Sequence, residues 1–139
     1  MFALEGHIEV PCGFRSMSGE RLDVDVELDV THPYVWDLVV DIWPASLPAS
    51  PVTLMDRNCF GSAYENVDVT FSDEAALAVE PSCSTTPPAL SSEVQPEGSL
   101  VTFDGQAAGQ VWSLRIVDSL SSDAGTLNSW CVTIEYELP

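Results

Sequence analysis

Leu22-Asp23-Val24-Asp25-Val26-Glu27-Leu28-Asp29-Val30 alternates apolar and acidic residues without a slip. Side chains along an extended chain point to opposite faces at each step, so this pattern predicts a β-strand with one face in a core and the other in water. Trp36 to Trp43 is nearly continuous in apolar and β-branched residues until Pro44, as a strand near the middle of a sheet would be. Shorter strand candidates are Gly6 to Val10, Val52 to Met55, Val67 to Phe71, Ser99 to Phe103, Val111 to Asp118 and Leu127 to Glu137. Stretches rich in Pro, Ser, Gly and Asp separate them, above all Pro44 to Pro51 and the low-order run Pro81 to Gly98, and read as surface loops. No window holds three turns of apolar residues at helical spacing, and Asp73 to Val79 has room for one or two turns only. The pattern predicts an all-β fold, a two-sheet antiparallel β-sandwich of the jelly-roll kind, occupying residues 1–139 as a single domain.

Twenty-two acidic residues face four arginines and no lysine, a formal charge of −18. That charge repels phosphate backbones and anionic lipid headgroups, which argues against a nucleic-acid or membrane partner. With 45% hydrophobic residues the chain still has enough apolar surface to fold. Charges or prolines interrupt every apolar run well short of the roughly 18 residues of a membrane helix. Cys12, Cys59, Cys83 and Cys131 are too dispersed for a zinc ribbon and suit two disulfides in an oxidising compartment. Of three connectivities, Cys12–Cys131 with Cys59–Cys83 is preferred, because Cys12 follows the first strand, Cys131 lies in the last, and sandwiches bring terminal strands together. The expectation is a domain of a larger secreted protein whose export signal lies upstream of Met1.

Catalysis finds little support. His7 and His32 are the two histidines, and neither a Gly-x-Ser-x-Gly elbow nor a His-Glu-x-x-His pair is present. The acids of the Leu22–Val30 strand alternate onto one face, where a solvated surface accounts for them. Calcium is a better fit for so acidic a chain, since it takes about six to eight hard oxygens and offsets self-repulsion. Sandwich domains gather such ligands from separate loops. Asp37, Asp73, Asp118 and Asp123 stand at strand ends and are the candidate calcium ligands; bonding a backbone N–H in a turn is the competing use of each.

Three further stretches share a pattern. They are Ser99-Leu100-Val101-Thr102-Phe103-Asp104-Gly105-Gln106, then Gly109-Gln110-Val111-Trp112-Ser113-Leu114-Arg115-Ile116-Val117-Asp118, then Asp123-Ala124-Gly125-Thr126-Leu127-Asn128-Ser129-Trp130. With Thr31-His32-Pro33-Tyr34-Val35-Trp36-Asp37-Leu38 upstream, they resemble, in order and over about residues 22 to 137, the P domain (P/Homo B domain) of proprotein convertases. Gly105, Gly109 and Gly125 suit turns with unusual dihedrals, and Trp112 and Trp130 read as core. Pro33 stands where the family has threonine, and Pro44 to Pro51 lacks the glycine of the family's Ser-Pro-x-Gly-Thr loop.

The resemblance implies a non-catalytic, galactose-binding-like jelly roll C-terminal to a subtilisin-like catalytic domain in the same parent chain. There it aids folding and tunes stability, pH response and calcium dependence. The protease's own Asp-[Ser/Thr]-Gly, His-Gly-x-His and Gly-Thr-Ser-Met-Ala motifs are missing from this sequence. Acting through an interface, such a domain would meet its partner with loops such as Thr31 to Asp37, where His32, Tyr34 and Trp36 are the candidate contact residues. The alternative is a stand-alone module that binds a glycan or an extracellular protein, which exposed aromatic residues would support. A small self-contained enzyme is the third reading and would depend on His32.

Overall fold

The computed structural model describes residues 2–8, 13–16, 23–106, 110–119 and 124–136. Among the described residues nine strands run in chain order: β1 (Phe2–Ile8), β2 (Gly13–Ser16), β3 (Asp23–Thr31), β4 (Leu38–Pro44), β5 (Val52–Asp56), β6 (Val67–Phe71), β7 (Leu90–Val94), β8 (Trp112–Asp118) and β9 (Thr126–Tyr136). They form a four-stranded sheet, β1-β8-β4-β5, and a five-stranded sheet, β2-β9-β3-β6-β7. The described residues contain no α-helix, only three short 3₁₀ turns. The chain is therefore all-β, with two sheets that share one core, as a β-sandwich does.

The alternating strand sits at the centre of the larger sheet. Val24, Val26, Leu28 and Val30 of β3 are 3% exposed or less, while Asp23, Asp25, Glu27 and Asp29 take the outer face. A slip of one residue would exchange these sets and lose about 8 kcal/mol from the four apolar side chains alone, so the register is strongly specified. Opposite them, Val132 and Ile134 of β9 point inward in register with Val26 and Val24. A register shift at Asp29/Val30 then sets Leu127, rather than Asn128, opposite Val30. The displaced Asn128 donates from Nδ2 to Asp29 Oδ1 and Thr31 Oγ1 outside the sheet. From the smaller sheet come Leu38, Val40 and Ile42 of β4 and Trp112, Leu114 and Ile116 of β8, all buried. Trp112 meets Phe103 edge to face at 5.4 Å between ring centroids.

Three expectations change. The antiparallel ladders dominate, but β2 joins β9 and β6 joins β7 in parallel. β7 itself lies inside the run Pro81 to Gly98 and gives that run order: Leu90 and Val94 are buried, and Ser92 between them has φ 59. Ser99 to Phe103 is not a strand but a 3₁₀ turn over Leu100–Phe103. Asp73 explains it, since its carboxylate accepts from the N–H of Leu100 (3.1 Å), the N–H of Val101 (2.9 Å) and the hydroxyl of Ser99 (3.1 Å). Leu100 and Phe103, three residues apart, then fall on one buried side of the turn.

Candidate functional site

The end of β3 begins the site. His32 precedes a proline, which has no N–H to give a ladder and holds the residue before it extended. The chain then bends into a 3₁₀ turn, Val35–Asp37, that buries Val35 and Asp37 and turns Trp36 outward. His32 is 1% exposed, Asp37 0% and Asp118, at the end of β8, 7%. His32 Nε2 lies 2.7 Å from Asp118 Oδ2, and the Tyr34 N–H donates to His32 Nδ1 at 3.0 Å. Because Nδ1 receives a donor, the ring proton sits on Nε2 and is given to Asp118, which makes His32 a neutral imidazole with both nitrogens committed. Its backbone is held as firmly, exchanging hydrogen bonds with Asn66, the residue just before β6. Ser119 donates its N–H (2.8 Å) and its hydroxyl (2.7 Å) to the Asp37 carbonyl, tying the 3₁₀ turn to the end of β8. Donor atoms of His32, Asp37 and Asp118 all lie within 4.8 Å of one another. A cavity of about 150 Å³ lies beside them, walled by Val30, Leu38, Ile116 and Leu127.

Of the four aspartates singled out as calcium ligands, the fold brings Asp37 and Asp118 together. Asp73 is committed to the Leu100–Phe103 turn, and Asp123 lies outside the described residues. His32, expected among the contact residues of an interface, is buried. A second acidic group, Asp23, Asp25 and Glu74, places carboxylate oxygens within 4.8 Å of one another at the start of β3. Partial burial, then the charges of Asp25, Glu74 and Glu135, push the Asp23 carboxyl up to about 7. Partial burial raises Asp25 to about 6; Ser72 opposes the rise, while Glu74, Glu135 and Glu93 add to it.

Above the His32 cluster lies an aromatic surface. Tyr34 and Trp36 are half-buried and meet edge to face at 6.4 Å, and Trp36 meets Phe60 in the same manner at 5.0 Å. The guanidinium of Arg57 lies 3.6 Å over the Trp36 ring, and its Nε donates to the Trp36 carbonyl. The loop that supplies Arg57 and Phe60 is braced from below. Cys59 is bonded to Cys83, the buried Asn58 accepts from the Asp56 N–H and donates to Glu80 and Glu97, and the Cys59 N–H donates to Glu80. Cys83 is thus the expected partner of Cys59. Cys131 is also disulfide-bonded, and its expected partner Cys12 lies outside the described residues. The sequence reading passed over Arg57 and Phe60, although a rare arginine two residues before a cysteine was there to be noticed.

Fold and site together define a disulfide-braced β-sandwich that carries an aromatic end loop over a buried histidine–carboxylate cluster. The family model of the proprotein convertase P-domain matches residues 22–134, and the chain belongs to that family. P-domains are non-catalytic accessory domains of proprotein convertases and subtilisin-like proteases. No curated protein and no solved structure matches the chain.

Proposed function

We propose that this chain is the accessory domain of a secreted bacterial subtilisin-like serine endopeptidase, stabilising or regulating the catalytic domain through an interface and linked to calcium. The observation that carries the reading is the family match, which runs from β3 into β9, taking in strands of both sheets and the whole end loop. The Cys59–Cys83 bond favours an oxidising compartment and hence export. The donor set fits calcium. Asp37 and Asp118 supply hard carboxylate oxygens, while His32, with both nitrogens occupied, orients Asp118 instead of serving as a nitrogen ligand for a softer metal. Bound there, calcium would neutralise neighbouring carboxylates and fasten the 3₁₀ turn to the end of β8.

The test is to produce the protease that carries this chain with and without the domain. Removal lowers the yield of active protease or its melting temperature; a protease unchanged in both refutes the accessory role. A stand-alone glycan-binding or protein-binding module is the competing reading, and the exposed Phe60 speaks for it. Titration against a glycan panel, with and without calcium, separates the two, and silence across the panel favours the accessory role.

A further inference from the structure

We propose that Tyr34, Trp36, Arg57 and Phe60 form the surface on which the parent's catalytic domain docks, and that the matching patch presents an apolar side chain beside a carboxylate. The inference rests on the accessory-domain reading and adds to it where contact occurs and what chemistry the partner brings.

Phe60 is 70% exposed, more than any other large hydrophobic side chain among the described residues, and it stands beside two further aromatics rather than alone. Scattered apolar side chains on a surface need no explanation, but an edge-to-face aromatic cluster roofed by an arginine has the composition that dominates binding energy at protein interfaces. The cluster is also fixed in place before any partner arrives. Arg57 and Cys59 have φ 50 and 64, a left-handed backbone that non-glycine residues seldom adopt, and the disulfide and the Asn58 bonds hold them there. A surface already rigid loses little conformational entropy on association.

Charge decides which partner fits. The chain carries 22 acidic residues, yet the Arg57 guanidinium pairs with no carboxylate among the described residues; its hydrogen bond is to the Trp36 carbonyl, while the backbone N–H of Arg57 donates to the Leu38 carbonyl. Arg115, by contrast, is paired with Asp41 at 3.0 Å. A guanidinium left open beside exposed aromatic rings selects an anionic group from outside, and the chain's own acids are directed elsewhere. The outer face of β3 displays Asp23, Asp25, Glu27 and Asp29, so a carboxylate-bearing partner is repelled there and accepted at the aromatic loop. One face of Trp36 is covered by Arg57, which disfavours stacking a sugar ring on that face.

The experiment uses the full protease. Phe60→Ala and Arg57→Glu each shorten its half-life at elevated temperature at least fivefold, approaching the effect of deleting the domain, whereas Leu77→Ala, at another exposed apolar position, leaves it unchanged. Hydroxyl-radical footprinting of the unmodified protein supplies a readout independent of any variant: Trp36 and Phe60 are protected in the full protease and labelled in the separated domain. If deletion destabilises the protease while both variants behave as the parent and Trp36 and Phe60 are labelled equally in both forms, the docking surface is wrong and the accessory role stands. If deletion itself does nothing, the accessory role fails first. Retention on a glycan column that Phe60→Ala abolishes, with no change in protease half-life, also overturns the proposal.

Discussion

At Gly125 the fold leaves no space for a side chain. A Cβ there would stand 2.5 Å from the Thr31 carbonyl oxygen and 2.6 Å from His32 Cδ2, both closer than real contacts allow. The oxygen belongs to the backbone of β3, and the ring is fixed by hydrogen bonds at both nitrogens, so neither can yield cheaply. Gly125→Ala therefore costs about 3 kcal/mol in a denaturant titration, at the upper end of overpacking penalties. Gly105→Ala makes the contrast: its φ is 84 with nothing within 4 Å of a new Cβ, so the cost is backbone strain alone, about 1 kcal/mol. Equal losses at the two positions would contradict the close approach. The sequence marks both glycines as turn residues, which holds for Gly105. Gly125 is needed for a contact with residues more than ninety positions earlier, and no local pattern displays that. Nor could local pattern show that His32 is buried, because Asp118 and the Tyr34 N–H, which satisfy its nitrogens, come together only in the folded chain.

Among the elements, β3 was the most legible and carries an electrostatic consequence. Its alternation fixes which side chains enter the core, and the same alternation crowds carboxylates on the outer face, where Asp23 and Asp25 meet Glu74, Glu135 and Glu93. Both carboxyls hold protons more tightly in the folded protein than at their ordinary value of 3.8. Their favourable contribution is thus complete below about pH 4 and is lost as pH rises through about 6 for Asp25 and about 7 for Asp23. Thermal melts at constant ionic strength should show this part of the stability falling between pH 4 and pH 8. Asp23→Asn with Asp25→Asn flattens that fall and raises the melting temperature at pH 8 by a few degrees; a double variant with the parent's slope would show that the cluster does not govern it. Other elements were hidden for identifiable reasons. β7 is a short edge strand, Leu-Ser-Ser-Glu-Val, whose three central residues face solvent, so it offers no alternation to read. The Leu100–Phe103 turn has the composition of a strand and is bent by a carboxylate 27 residues away in sequence.

For the molecule as a whole, the −18 charge and the Asp37–Asp118 pair make separable claims on stability. Diffuse repulsion among exposed carboxylates is relieved by any salt, since at roughly 1 M the screening length shrinks to about 3 Å. A built site responds to one ion at concentrations far too low to screen, by RT ln(1 + [L]/Kd), which is about 2.7 kcal/mol when the ion stands at about a hundred times its dissociation constant. Melting the chain in low salt, in concentrated sodium chloride and in millimolar calcium distinguishes the two. Sodium chloride should raise the melting temperature of the parent and of Asp37→Asn and Asp118→Asn alike, because each substitution removes one charge of many. Calcium should raise that of the parent well beyond sodium chloride at matched ionic strength, and that of neither variant. His32→Gln is the informative intermediate. It withdraws the group that orients the Asp118 carboxylate but leaves both carboxylates of the proposed calcium site in place, so calcium affinity should fall without vanishing. A calcium gain that survives both aspartate substitutions would remove the site, leaving the acidic surface as a matter of screening; a gain lost with either one would place the ion beneath Trp36, where it fastens the turn that carries the aromatic surface.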